Sequence, residues 1–129
     1  MNQLKVFLLL IAGGSSGTLL RYLVYQTADR YLNNSFPWGT LTVNVVGSLL
    51  IGVLWSLMDK TNVPPATRLF LFIGFLGSFT TFSSFAFDSL NLVHQGAFKL
   101  AMLNILLNNV LGIGFCFAGY YTVKLIQYH

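Results

Sequence analysis

The stretch FTTFSSFAF, from Phe79 to Phe87, places aromatic rings among hydroxyl side chains inside an otherwise apolar segment. A helix that merely spans a bilayer does not need this mixture. An aromatic ring has a positively polarised edge, and a hydroxyl group donates and accepts hydrogen bonds. On its own such a stripe of rings more often faces lipid or packs in the core than forms a binding site, but the hydroxyl residues among the rings leave a polar site open.

Glycine and short hydroxyl residues interrupt the helix that should carry this stretch. Gly74, Gly77, Ser78 and Thr80 lie among the rings, and such residues offer the backbone partners or conformations outside the helix. The pattern predicts a break between Gly77 and Thr81. Because lipid does not tolerate exposed non-helical backbone, the break must lie in a subunit contact or line a polar cavity. Its freed carbonyl groups could coordinate a cation there.

Asparagine side chains occupy two other apolar segments. Asn44 lies in one, and Asn104 and Asn108 lie one helical turn apart in another. An amide in lipid must find partners. Hydrogen bonding between helices is the common use, and an amide NH2 can also donate to an anion. With Asn44, the other two amides could line a narrow, uncharged polar path.

Two features of the N-terminal segment allow a structural interpretation. Gly13 and Gly17 are four residues apart, so they share a helix face on which another backbone can approach closely. Arg21 follows near the end of the same segment. Its side chain either extends to the membrane interface or supplies a fixed positive charge at the mouth of an anion path, and position alone does not decide between them.

The composition is that of a membrane protein. Of 129 residues, 55% are hydrophobic and 8% are charged, against about 25% charged residues in soluble domains. Each of the four apolar stretches is close to the length of about 20 residues that a bilayer span requires. They cover about residues 4–25, 38–58, 69–93 and 98–126. The short connections predict a single all-α domain over residues 1–129 with antiparallel neighbouring helices.

The charged residues argue against several functional classes and give almost no orientation signal. The basic residues never cluster, which argues against nucleic-acid binding, and the titratable residues show neither metal-ligand spacing nor a catalytic triad. The sequence therefore predicts no enzyme activity. With the N-terminus inside, one side would hold four basic residues and the other three, and the positive-inside rule barely favours either. The four are Lys5, Lys60, Arg68 and Lys124, and the three are Arg21, Arg30 and Lys99. Either one charge is misplaced, or the chain inserts both ways up and forms an antiparallel homodimer.

Three segments together resemble the CrcB/Fluc family of fluoride channels. They are GFLGSFTTFSSF (74–85), WGTLTVNVVGSLLIG (38–52) and GGSSGTLLRY (13–22), and the resemblance covers essentially the whole chain. Ser78 stands where the family often has glycine, and Ser84 where it often has threonine. Asn104 and Asn108 stand where it commonly has hydroxyl or tyrosine side chains, so they are candidates for the lining of the fourth helix.

The resemblance implies a fluoride channel in the bacterial inner membrane. It also implies that two copies of the chain form a dual-topology antiparallel homodimer with two pores. By resemblance, Phe82 and Phe85 present ring edges to fluoride, Asn44 donates an amide hydrogen and Arg21 lies in an aqueous vestibule. Thr40 and Ser83 resemble hydroxyl residues of the pore. The main-chain carbonyls of Gly77 and Thr80 from both subunits would hold a central sodium ion.

Two other functions are compatible with a bundle of this size. A small proton-coupled exporter usually needs a buried acidic or histidine side chain, and Asp88 is the carboxylate nearest to the middle of a span. A structural subunit of a membrane assembly would conduct nothing. Fluoride flux that is insensitive to a pH gradient would favour the channel.

Overall fold

The computed structural model describes residues 1–33, 35–59 and 61–127, and its regular structure is helical. The helices in chain order are α1 (Gln3–Tyr31), α2 (Trp38–Asp59), α3 (Pro65–Arg68), a π-helical segment (Leu69–Leu76), α4 (Gly77–Phe79), α5 (Phe82–His94) and α6 (Phe98–Gln127). In the following, the third span means α3, the π-helical segment, α4 and α5 together.

Among the described residues, four stretches are long and apolar enough to cross a membrane. They cover Gln3–Tyr31, Trp38–Asp59, Pro65–His94 and Phe98–Gln127, so the all-α architecture with four candidate spans that the sequence predicts is confirmed. The first helix continues past the predicted end near Tyr25 to Tyr31, and the chain becomes extended at Leu32. Of the basic residues weighed above, Lys60 lies outside the described residues.

The N-terminal glycines hold α1 against the third span. Gly13 and Gly17 are buried, and a methyl group on Gly13 would lie 2.7 Å from the carbonyl oxygen of Phe70. A methyl group on Gly17 would overlap the carbonyl oxygen of Phe75. The predicted close-packing face is therefore confirmed, and it places the two backbones in direct contact, as small residues do in membrane helices.

A second pair of glycines joins α2 to α6, the two helices with the most extensive contact in the fold. A methyl group on Gly52 would overlap the carbonyl oxygen of Cys116, and one on Gly119 would lie 2.5 Å from the carbonyl oxygen of Leu49. These contacts bring α2 and α6 close enough for their amide side chains to meet across the interface.

The third span is interrupted where the sequence predicts a break. Thr80 and Thr81 are extended, with ψ angles of 160° and 120°. The backbone N–H and the hydroxyl of Thr80 both donate to the carbonyl of Leu76, each at 3.0 Å, and the extended ψ angle of Thr80 ends α4. The hydroxyl of Thr81 accepts the N–H of Ser84 at 3.1 Å and so caps the start of α5. The threonines therefore stop one helix and start the next.

Candidate functional site

Asn44 of α2 supplies the hydrogen-bond partner that the break requires. Its Oδ1 accepts the backbone N–H of Thr81 at 2.8 Å, and its Nδ2 donates to the carbonyl of Thr81 at 3.1 Å. Both backbone groups of one extended residue are thus satisfied by one side-chain amide. In lipid an unpaired backbone group costs several kcal/mol, so Asn44 makes the extended conformation stable inside the span.

The break changes the partners of two carbonyl groups. In a continuous helix the N–H of Thr81 would bond to the carbonyl of Gly77, and the N–H of Ser84 to the carbonyl of Thr80. Here the first N–H donates to the Asn44 side chain and the second to the Thr81 hydroxyl. The carbonyls of Gly77 and Thr80 therefore lose their helical donors, and their oxygen lone pairs could accept another partner.

The oxygen atoms of these two carbonyls are ligands of the kind that a hard cation prefers. Unwound backbone carbonyls coordinate sodium in other membrane proteins. Within the described part of the chain, no group of three or more His, Cys, Asp or Glu side chains could hold a metal ion. A cation at this position would therefore depend on main-chain oxygen atoms.

The amides of α2 and α6 meet behind the break. The Nδ2 of Asn44 also donates to Oδ1 of Asn108 at 2.9 Å. The Nδ2 of Asn108 donates in turn to Oδ1 of Asn104 at 2.8 Å and to the carbonyl of the same residue at 3.1 Å. Asn104 is 0% exposed and Asn108 is 9% exposed. Pairing between amides, which is the common use of asparagine in membrane helices, thus accounts for all three side chains.

A cavity of about 350 Å³ lies against the break. Six of the residues that the sequence singled out line it: Asn44, Gly77, Thr80, Phe82, Phe85 and Asn108. Its other lining residues are apolar or uncharged polar, namely Gly47, Ser48, Ile51, Phe72, Leu76, Thr81, Asn109, Gly112 and Ile113. The cavity therefore offers amide and hydroxyl groups beside aromatic rings, and none of the described residues in its wall is charged.

The two phenylalanines at the start of α5 lie in different environments. Phe85 is 8% exposed, whereas Phe82 is 78% exposed. The rings meet edge to face, with centroids 5.3 Å apart and planes at 62°. Because they are three residues apart on one helix, both rings face the same cavity.

Thr40 lies apart from this cavity, in a cluster formed by three helices. Its hydroxyl donates to Oδ2 of Asp88 on α5 at 2.6 Å and lies 3.1 Å from the hydroxyl of Tyr25 on α1. Thr40 is 3% exposed. Because its single proton is engaged by a carboxylate, the Thr40 hydroxyl could donate to an anion only after that bond is broken.

The remaining predicted residues also lie outside the cavity lining. Ser83 is exposed, and its hydroxyl lies 3.2 Å from the Thr81 hydroxyl. Arg21 is half-buried on α1, one helical turn after Gly17. Asn104 is enclosed behind Asn108, so the cavity brings together only part of the predicted set.

The sequence analysis missed two residues that hold the site together. Tyr25 and Ser89 each form a side-chain hydrogen bond to another element of the site. Thr81 was named only as the end of the break, and the capping role of its hydroxyl was not predicted. One signal could have found Ser89. Antiparallel helices joined by a tight turn pair residues at similar distances from that turn, and Ser89 lies seven residues before Gly96 while Asn104 lies eight residues after it.

The fold and the site define a polytopic α-helical membrane protein with an uncharged polar cavity beside a helix break. A family model described as "CrcB-like protein, Camphor Resistance (CrcB)" matches residues 8–120. The chain belongs to this CrcB-like family.

Similar proteins are named as fluoride channels. A protein of Parabacteroides distasonis named "Fluoride-specific ion channel FluC" is 49% identical over 117 residues, which are 91% of this chain and 91% of the relative. A protein of the same name from Aliivibrio salmonicida is 43% identical over 125 residues, covering 96% of this chain and 99% of the relative. One from Leptospira interrogans is 41% identical over 125 residues, covering 96% and 98%. These relatives are named as channels, which agrees with the prediction that the chain is not an enzyme.

Proposed function

We propose that this chain is a fluoride-selective channel that passively exports fluoride from the bacterial cytoplasm across the inner membrane. The observation that carries the proposal is the cavity wall: the rings of Phe82 and Phe85 face the amides of Asn44 and Asn108, without a charged side chain. The family and the names of the relatives agree with it. An inside-negative potential of 100 mV supplies about 2.3 kcal/mol per charge to drive an anion outward.

The chemistry of the wall suits a small, strongly hydrated anion. Fluoride loses water on entry, which is costly, and ring edges with amide hydrogens replace part of that hydration. A full positive charge would bind the ion too tightly, because conduction requires binding weak enough for the ion to leave. A narrow path without such a charge would favour fluoride over chloride through size and dehydration.

Asn44 can donate to fluoride only by exchanging a partner. Both of its amide hydrogens are engaged, one by the carbonyl of Thr81 and one by Oδ1 of Asn108. An ion at the cavity wall would replace one acceptor, and the other bond would keep the amide in place. This exchange limits how tightly the ion is held.

The proposal includes an antiparallel homodimer with two pores. A ring that is 78% exposed beside a polar cavity supports a protein partner, because amide and backbone groups are poorly accommodated by lipid. The nearly even distribution of basic residues supports insertion in both orientations. A second copy would cover the cavity of the first and complete the path.

The carbonyls of Gly77 and Thr80 would hold a sodium ion at the centre of that dimer. The redirection of their helical donors to Asn44 and Thr81 supports this role. Bound there, the ion would tie the breaks of the two subunits together. Arg21 would lie in the aqueous vestibule, and Thr40 and Ser83 would contribute hydroxyl groups along the route once their present partners are exchanged.

The test is ion efflux from liposomes. Purified protein is reconstituted with internal potassium fluoride or potassium chloride, valinomycin is added, and ion-selective electrodes follow the release of each anion. We expect fast fluoride release, no chloride release and no effect of an imposed pH gradient. Dependence on the pH gradient would indicate proton coupling, for which the half-buried Asp88 would be the first candidate. Absence of fluoride release from folded protein would refute the channel and favour a structural subunit.

A further inference from the structure

The hydrogen bonds behind the cavity form one continuous chain that leaves the third span and returns to it. It begins at the backbone N–H of Thr81, which donates to Oδ1 of Asn44 at 2.8 Å. The Nδ2 of Asn44 donates to Oδ1 of Asn108 at 2.9 Å, and so passes the chain from α2 to α6. Each step joins a different helix to the break.

The second half of the chain returns from α6 to α5. Asn108 donates to Oδ1 of Asn104 at 2.8 Å, and Asn104 donates to the hydroxyl of Ser89 at 2.9 Å. That hydroxyl donates to the carbonyl of Phe85 at 2.8 Å. The chain thus ends one turn beyond its starting point, on the residue whose ring faces the cavity.

The two ends determine the direction of every group between them. The Thr81 N–H can only donate, and the Phe85 carbonyl can only accept. Each amide of the chain must therefore accept on the Thr81 side and donate on the Phe85 side. Aligned donors and acceptors polarise one another, and the low dielectric of the interior strengthens the bonds.

The structure assigns Asn104 and Ser89 as positioning residues for the ion path, an inference that rests on the proposed function and deepens it. Asn104 is 0% exposed and does not line the cavity, so it acts through its neighbours. Through Asn108 it orients the amide of Asn44, and through Ser89 it holds the backbone of Phe85. The groups of α2 and α5 that would contact fluoride, the Asn44 amide and Phe85, are thereby held in a fixed position relative to each other.

The test removes single links at a distance from the cavity. Asn104→Leu and Ser89→Ala each break the chain, whereas Ser89→Thr keeps the hydroxyl and serves as the conservative rescue. Leu92→Ala is the matched control, because Leu92 is 6% exposed on the same helix and has no part in the chain. Two measurements are made on each reconstituted variant: fluoride efflux, and deuterium exchange of the Thr81 amide.

We expect Asn104→Leu and Ser89→Ala each to reduce fluoride efflux about tenfold, the ratio that corresponds to one lost hydrogen bond. Exchange at the Thr81 amide should accelerate about tenfold in the same variants for the same reason. Ser89→Thr should keep both properties near those of the unmodified chain, and Leu92→Ala, which lowers stability by leaving a cavity but breaks no link of the chain, should keep its fluoride efflux. The double variant should lose no more efflux than the worse single variant, because residues in one network do not act additively.

Unchanged efflux and unchanged Thr81 exchange in Asn104→Leu and Ser89→Ala would overturn the assignment, as would an equal loss in Leu92→Ala. If Asn104→Leu does not fold, the contrast between Ser89→Ala and Ser89→Thr decides alone. If the unmodified protein releases no fluoride, the proposed function is wrong. Exchange at Thr81 then still shows whether Asn104 positions Asn44.

Discussion

Replacing Asn44 with leucine should both destabilise the fold and stop fluoride conduction. The side chains are similar in size, so the substitution chiefly removes hydrogen bonds. The backbone N–H and carbonyl of Thr81 and Oδ1 of Asn108 would each lose a partner. A buried polar group without a partner costs about 1–3 kcal/mol, so three groups sum to about 3 kcal/mol at the lower bound. In a domain of this size each kcal/mol lowers the melting temperature by about 2–8 °C.

Asn109→Leu is the matched control for the loss of stability in this prediction. It makes the same chemical change on a residue that is exposed and bonded only to the carbonyl of Ile105 in its own helix. Loss of that bond should cost about 0.5–1.5 kcal/mol. Thermal unfolding in detergent, followed by tryptophan fluorescence, gives the two melting temperatures, and liposome efflux gives conduction. If Asn44→Leu melts within about 3 °C of Asn109→Leu, the argument that Asn44 stabilises the break is refuted.

Three further substitutions test other parts of the structure. Phe82→Ile should reduce fluoride efflux at least about tenfold. Stability should change by less than about 0.5 kcal/mol, because the ring is 78% exposed. Equal efflux from Phe82→Ile and its exposed control Phe87→Ile would show that the ring edge is dispensable. Gly52→Ala should lower stability by about 1–3 kcal/mol, since its methyl group would overlap a carbonyl of α6. Gly114→Ala should not lower stability, because nothing lies within 4 Å of the new methyl group. Similar melting temperatures for the two variants would contradict the packing argument. Thr40→Val should lower the free energy of unfolding by about 1.5–3 kcal/mol, because the Asp88 carboxylate loses its donor. Thr40→Ser should retain most of that stability. Equal free energies of unfolding for the two variants would show that the hydroxyl bond contributes nothing.

The architecture was predictable because membrane constraints act on short stretches of sequence. Hydropathy located the four candidate spans, and the helices that begin at Trp38 and Phe98 begin where the pattern placed them. The break was predictable for a similar reason: glycine and hydroxyl residues concentrate at one place in the third span. The spacing of Gly13 and Gly17 also sufficed to predict a close contact, although the pattern did not say which helix would make it.

The partners of the polar side chains were not predictable from local sequence. Whether Asn44 faces Thr81 or a lipid depends on how α2 packs against the third span, and that packing depends on the contact at Gly47, where a methyl group would overlap the Thr80 side chain. Thr40 shows the same limit, because the family resemblance implied a pore hydroxyl and the fold gives it a carboxylate partner on α5. Side-chain hydrogen bonds over long sequence separations follow from tertiary geometry.

The amide chain behind the break is complete within one subunit, and this has a consequence for biogenesis. A newly inserted chain need not wait for a partner to satisfy the amide side chains of Asn44, Asn108 and Asn104. If the chain forms the proposed antiparallel dimer, we therefore expect subunits of either orientation to persist as folded monomers that pair later by lateral diffusion in the membrane. Dilution into excess lipid tests this: monomers counted by single-molecule photobleaching should still protect the Thr81 amide, and loss of protection on dissociation would show that folding and pairing are one event.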